Sequence, residues 1–104
     1  MIRASYDRKE LCLCVKGHAA SAPKGQDLVC AAASTLAFTL MAAVLDNTER
    51  YAPSVSRREG EIRIACRPAR GERALCRRAM DTVFTGFEML ANQYPDYVKA
   101  KRED

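Results

Sequence analysis

Between Leu28 and Leu45 the chain runs for eighteen residues without a single charge. That length reaches the threshold for crossing a bilayer, so it constrains the fold before any other feature does. Six of the eighteen are Ala, and Cys30, Ser34, Thr35 and Thr39 dilute the apolar character further. No aromatic belt or Lys/Arg flank frames the segment as a span would require. The segment is predicted to be a core helix of a chain that has no membrane contact. A helix that is apolar all round needs cover on more than one side. The 104 residues suffice for one domain, 1–104, which buries roughly two thirds of its unfolded surface. One sheet can cover only part of such a helix, and a second copy of the chain is predicted to cover the rest, making a homodimer.

The remaining composition is globular: apolar residues make up 48% and charged residues 29%, which excludes a disordered chain. Lys and Arg number 17 against 13 acidic residues, a net charge of +4. That mild excess admits an acidic or nucleic-acid partner without demanding one. The five Cys cannot all pair within one chain, and Met1–Asp7 has no apolar core of a secretory signal. Free thiols in a reducing cytoplasm are expected.

Ile2–Tyr6 and Leu11–Val15 read as strands around the polar turn Asp7–Glu10. Leu11, Leu13 and Val15 alternate with Cys12 and Cys14, placing the two thiols on one sheet face and the aliphatics on the other. Gly17–Gly25 is a loop of small residues. Gln26-Asp27 opens the long helix, which is expected to run to about Thr48, with Asp27 serving its N-terminus as cap or first-turn acid. Ser54–Arg58 and Glu61–Arg67 form a second hairpin around Glu59-Gly60. From Glu72 to Asn92 the positions Leu75, Cys76, Ala79, Met80, Val83, Phe84, Phe87, Leu90 and Ala91 follow helical spacing. Gly86 costs about 1 kcal/mol inside that helix relative to Ala, which suggests close packing there. Tyr97–Lys101 reads as a short last strand. The order ββαββα(β) predicts an α+β fold of two layers, an antiparallel sheet packed on two helices.

His18 is the only histidine, hence the only side chain whose ordinary pKa suits a general base near neutral pH. It follows a predicted strand, and Cys30 follows twelve residues later near the start of a helix. The positive helix end favours a thiolate, and a neighbouring imidazole would take the thiol proton. Gly17 and Gly25 would let the intervening backbone approach closely. The plainer reading stands beside this one: an exposed strand-end His, and a Cys that is a small core residue.

The words Gly17-His18-Ala19, then Gly25-x-Asp27-x-x-Cys30-Ala31-Ala32-x-Ser34, resemble the signature of the ribosomal-processing cysteine protease family (Prp). The likeness extends to the N-terminal hairpin, both helices and the Tyr-Pro-Asp-Tyr ending. It implies a small cytoplasmic homodimeric thiol protease. Such an enzyme trims a short N-terminal extension from the precursor of the large-subunit ribosomal protein numbered twenty-seven in its series. By the same resemblance Cys30 is the nucleophile and His18 the base, without cofactor or metal. Asp27, Ser34, Gly17 and Gly25 become supporting residues, and Ala19, Ala20, Ser21 and Lys24 a substrate-facing loop. The sequence departs from the family pattern at Ala20 and Ser21, where Gly and an aromatic residue are common, and at Ala33, where Val is common.

Two other chemistries fit parts of the chain. Cys12, Cys14, His18 and Cys30 are zinc-ligand types, although the one-residue Cys spacing is unlike the usual two. Between Arg57 and Arg78 lie eight Arg against three Glu, a concentration that could contact RNA phosphates; a solvated charged face is the alternative, and few aromatics are present for base stacking.

Overall fold

The computed structural model describes residues 1–17 and 24–104, with the backbone alone for 24–27. The elements are β1 (Ile2–Asp7), β2 (Cys12–Lys16), α1 (Lys24–Leu45), α2 (Thr48–Tyr51), β3 (Pro53–Arg58), β4 (Glu61–Cys66), α3 (Arg73–Gln93) and β5 (Val98–Glu103). The sheet order is β3-β4-β2-β1-β5. Both hairpins and the β2–β4 contact between them are antiparallel. The two-layer α+β arrangement is as expected, with two differences: a short additional helix, α2, follows α1, and β5 runs parallel to β1. After α3 the turn at Tyr94–Tyr97 delivers the chain to the free edge of β1. The Ile2 amide donates to the Tyr97 carbonyl at one end of the new pair, and the Arg8 amide to the Glu103 carbonyl at the other, each at 2.8 Å.

The period of two in the strands places the core on one sheet face. Ile2, Ala4, Tyr6, Leu13, Val15, Ile62, Ile64 and Val98 are buried there beneath the helices. From α3 the stripe Cys76, Met80, Phe84, Phe87 and Leu90 is buried against them, with Leu75 turned outward. Tyr6 and Phe84 meet with ring centroids 5.3 Å apart. The fully buried Tyr6 keeps its hydroxyl satisfied by donating to Asp81 Oδ1 at 2.7 Å. Arg8 Nε donates to the same carboxylate at 3.1 Å. Burial alone would raise the Asp81 carboxyl. The Arg8 and Tyr6 hydrogen bonds, with the charges of Arg8 and Arg102, outweigh it and hold the group below its ordinary value.

Helix α1 packs along one stripe, Val29, Cys30, Ala33, Ala37, Leu40 and Val44. Its outer face leaves Leu28 77%, Phe38 39% and Leu45 50% exposed. Close approach of α3 explains Gly86, since a Cβ there would lie 2.6 Å from Leu36 Cδ2. The helix stops at Leu45, short of Thr48. The Asn47 side-chain amide donates to the Ala43 carbonyl and the Thr48 hydroxyl to the Leu45 carbonyl, satisfying groups the helix end leaves open.

Candidate active site

Strand β2 ends at Lys16, and Gly17 turns the chain out of the sheet at φ +92°. Its amide donates to the Gly60 carbonyl at 2.9 Å. A Cβ at Gly17 would lie only 2.0 Å from the Met1 carbonyl oxygen. Two backbone segments therefore fix the point from which the chain leaves toward His18, and only glycine fits it. His18, Ala19, Ala20 and Ser21 lie outside the described residues.

The described backbone resumes at Lys24, the first residue of α1. This corrects the expected helix start. Lys24 and Gly25 belong to the helix rather than to the loop, and Asp27, its fourth residue, stands in the first turn, the second of the two places expected for it, rather than at the cap. The helix amides without an intrahelical acceptor are then those of residues 24–26, in the turn before Cys30. Cys30 stands in the second turn, where the pull of the helix dipole has already weakened. Its side chain is 8% exposed and belongs to the core-facing stripe. Ser34 follows one turn later and is half-buried.

The other four thiols sit in different surroundings. Burial raises Cys12 and Cys14 above the ordinary thiol value, and Glu61 adds to the effect at Cys14, whose Sγ donates to Glu61 Oε1 at 3.5 Å. Burial likewise raises Cys76, and pushes Cys66 up to about 12 with help from the adjacent Cys76. All four are therefore held in the thiol form near neutral pH. Cys12 and Cys14 occupy the sheet face away from the helices, whereas Cys30 lies on the helix side. The sheet separates the thiols of the imagined zinc set. Among the described residues no cluster of three or more His, Cys, Asp or Glu side chains is poised to hold a metal.

The Arg57–Arg78 concentration is also divided by the fold. Arg57 stacks over Phe38 of α1 at 4.8 Å, on the helix side. Arg58 and Arg63 fall on the opposite face by register. Arg73 donates to the Lys9 carbonyl. The sequence reading missed the part played by Gly60 and Met1. A small residue directly before a lone His was the one available signal that the chain is constrained there.

None of the curated proteins matches the sequence. Among solved structures, the Streptococcus mutans protein SMU.848 is 25% identical, with a TM-score of 0.76 over 99% of this chain and 94% of that one. The essential ribosomal processing protease Prp from Staphylococcus aureus, in complex with a substrate peptide, is 18% identical, with a TM-score of 0.80 over 99% of this chain and 100% of that one. The same protease with a covalently linked product peptide superposes with a TM-score of 0.79, at 18% identity and the same coverage. The family model for cysteine protease Prp matches residues 1–99. With the match spanning every element from β1 to the start of β5, the chain belongs to the Prp family of cysteine proteases.

Proposed function

We propose that this chain, acting as one domain over 1–104, removes a short N-terminal extension from the precursor of large-subunit ribosomal protein twenty-seven, with Cys30 as nucleophile and His18 as base. The family match over residues 1–99 carries this reading. It is supported by Cys30 and His18 occupying the thiol and imidazole positions of the motif, and by the Staphylococcus aureus relative's complexes with substrate and product peptides. The departures at Ala20 and Ser21 fall between the two residues, where substrate preference would be set.

In the proposed mechanism His18 accepts the Cys30 proton and the Sγ thiolate attacks the scissile carbonyl carbon. The free amides of the first turn of α1 serve as donors for the resulting oxyanion in this mechanism. Collapse breaks the C–N bond, and the imidazolium protonates the departing amine. A water deprotonated by His18 then attacks the thioester, releasing the trimmed-off peptide acid and restoring the thiol. The enzyme works in the cytoplasm, where its substrate is made. It acts as a homodimer that covers the outer face of α1, where Leu28, Phe38 and Leu45 are exposed.

The test is incubation of the purified chain with the extended precursor from the same cell, read by intact mass spectrometry. The wild type is expected to shorten the precursor by one defined N-terminal peptide and the Cys30→Ala protein to leave it whole. Trimming by Cys30→Ala would overturn the assignment of the nucleophile. An intact precursor with correctly folded wild type would overturn the substrate.

A further inference from the structure

The sheet face turned away from α1 and α3 is covered by no other described element, and its side chains are sorted by charge. Register places Arg58, Lys16, Arg3 and Lys99 in one row across the sheet, with Arg63 and Lys101 in the next row. All six side chains are exposed. Five of them, all but Arg58, line a single shallow cleft of about 550 Å³ floored by Ser5 and Cys14. The acids on this face lie mainly at its far end, where Asp7 pairs with Glu103 in register. Glu61 is the exception, half-buried in the basic row and held by the Cys14 thiol. Lys101 reaches Glu103 at 3.7 Å, with both groups in water, so that contact leaves it free to exchange partners.

The cations come from all parts of the chain and gain nothing for the fold by gathering; like charges this close repel. Strand geometry spaces Lys16, Arg3 and Lys99 about 5 Å apart across neighbouring strands, sets Lys99 and Lys101 about 7 Å apart along one strand, and leaves Arg58 two strands from Lys16 across Glu61. That pitch suits a ligand carrying one charge at each step of a polymer backbone. No strand residue on the face is aromatic and none offers a large apolar anchor, which disfavours a folded protein partner, whose recognition depends on such anchors. The basic row is also the row next to Gly17, and Lys16 precedes His18 by two residues.

We propose that this open sheet face binds the phosphate backbone of RNA, holding it beside Gly17 at the end of β2. The choice of RNA rests on the ribosomal reading above; the phosphate chemistry rests on the face itself. Without aromatic platforms the binding is indifferent to base sequence. The contact differs from one made by the Arg57–Arg78 stretch as a whole, since the fold sends Arg57 to the helix side and ties Arg73 to Lys9.

The test is fluorescence anisotropy with a labelled oligouridylate of about twenty nucleotides. Neutralising four to six phosphates predicts an affinity drop of about 50- to 300-fold between about 50 and 200 mM salt. An Arg3→Gln/Lys99→Gln/Lys101→Gln protein is expected to bind at least about tenfold more weakly at the lower salt, with the log–log salt slope reduced by about 2. An Arg50→Gln/Arg70→Gln/Arg78→Gln protein loses the same charge off the face and is expected to bind within about twofold of wild type. Equal weakening in the two variants would overturn the proposal, because net charge alone would then account for binding. So would no binding by wild type at low salt, or competition by polyglutamate of equal length as effective as by oligouridylate. The readout is independent of cleavage: RNA binding without precursor trimming leaves this inference standing while the protease reading fails, and trimming without RNA binding does the reverse.

Discussion

Gly17 and Gly71 share a positive φ, +92° and +89°, yet sit in opposite surroundings. A Cβ added to Gly71 meets nothing within 4 Å, whereas one added to Gly17 meets the Met1 carbonyl oxygen at 2.0 Å and Ile2 Cα at 3.3 Å. Substituting Ala at Gly71 therefore incurs only the left-handed penalty, about 1–2 kcal/mol. At Gly17 the same penalty is joined by overpacking of about 1–3 kcal/mol, because the obstructing atoms are backbone and cannot rotate aside. Relief by moving β1 or the glycine also weakens the 2.9 Å bond to the Gly60 carbonyl, worth about 1 kcal/mol. The expected losses are thus about 1–2 kcal/mol for Gly71→Ala and about 3–6 kcal/mol for Gly17→Ala. The unfolded-state gain from replacing glycine is common to both and cancels in the comparison. Urea unfolding measures the gap: with a slope near 2 kcal/mol/M, a difference of about 2 kcal/mol separates the midpoints by about 1 M. Precursor trimming is the second readout, and Gly17→Ala should lose more activity than its folded fraction explains while Gly71→Ala should not. Equal midpoints for the two variants would refute the reasoning, since the dihedral cost is shared and only the Met1 contact distinguishes them.

Other perturbations read other parts of the structure. His18→Ala should slow trimming by orders of magnitude and shift the pH profile of Cys30 alkylation upward; an unchanged alkylation profile would remove His18 as the proton acceptor. Asp81→Ala strands the buried Tyr6 hydroxyl and should cost about 1–3 kcal/mol in urea unfolding. With Asp81 depressed in the fold, its contribution is present above the ordinary carboxylate range and is lost as pH falls through the folded value. Tyr6 is raised, first by burial and then by Asp81, so stability should also fall as pH rises past the ordinary phenol value near 10. In the Asp81→Ala protein the acid-side dependence should shrink, which an acid titration of the unfolding midpoint checks. Phe38→Glu places a charge on the outer face of α1 and should convert dimer to monomer in sedimentation at micromolar concentration; a wild type already monomeric there would end the dimer proposal.

Much of this architecture was legible because it rests on local periodicity. The alternation of Leu13 and Val15 with Cys12 and Cys14, and the Met80-Phe84-Phe87 spacing, fix the faces of β2 and α3 whatever the rest of the chain does. The parallel β1–β5 pair was not legible, because Ile2 and Val98 are far apart in sequence and no local pattern reports which sheet edge a last strand will join. The helix start was misplaced because Gly25 reads as a breaker. Its cost of about 1 kcal/mol in a helix is small beside what a long packed stripe such as Val29 to Val44 recovers by burial. At the site, the motif words supplied Cys30 and His18, whereas the role of Gly17 needs Met1 and Gly60, one distant in sequence and the other in a different hairpin. Charge shows the same limit most sharply. A window over Arg57–Arg78 joins residues that the pleat and α3 then separate. The basic face joins Arg3, Lys16, Arg63 and Lys99, which no window would group. Linear charge density thus groups a different set of cations from the set the fold gathers on one face. The two can be told apart experimentally because the face variant spares the whole Arg-rich stretch, so the location of the salt-dependent contact decides between pattern and fold.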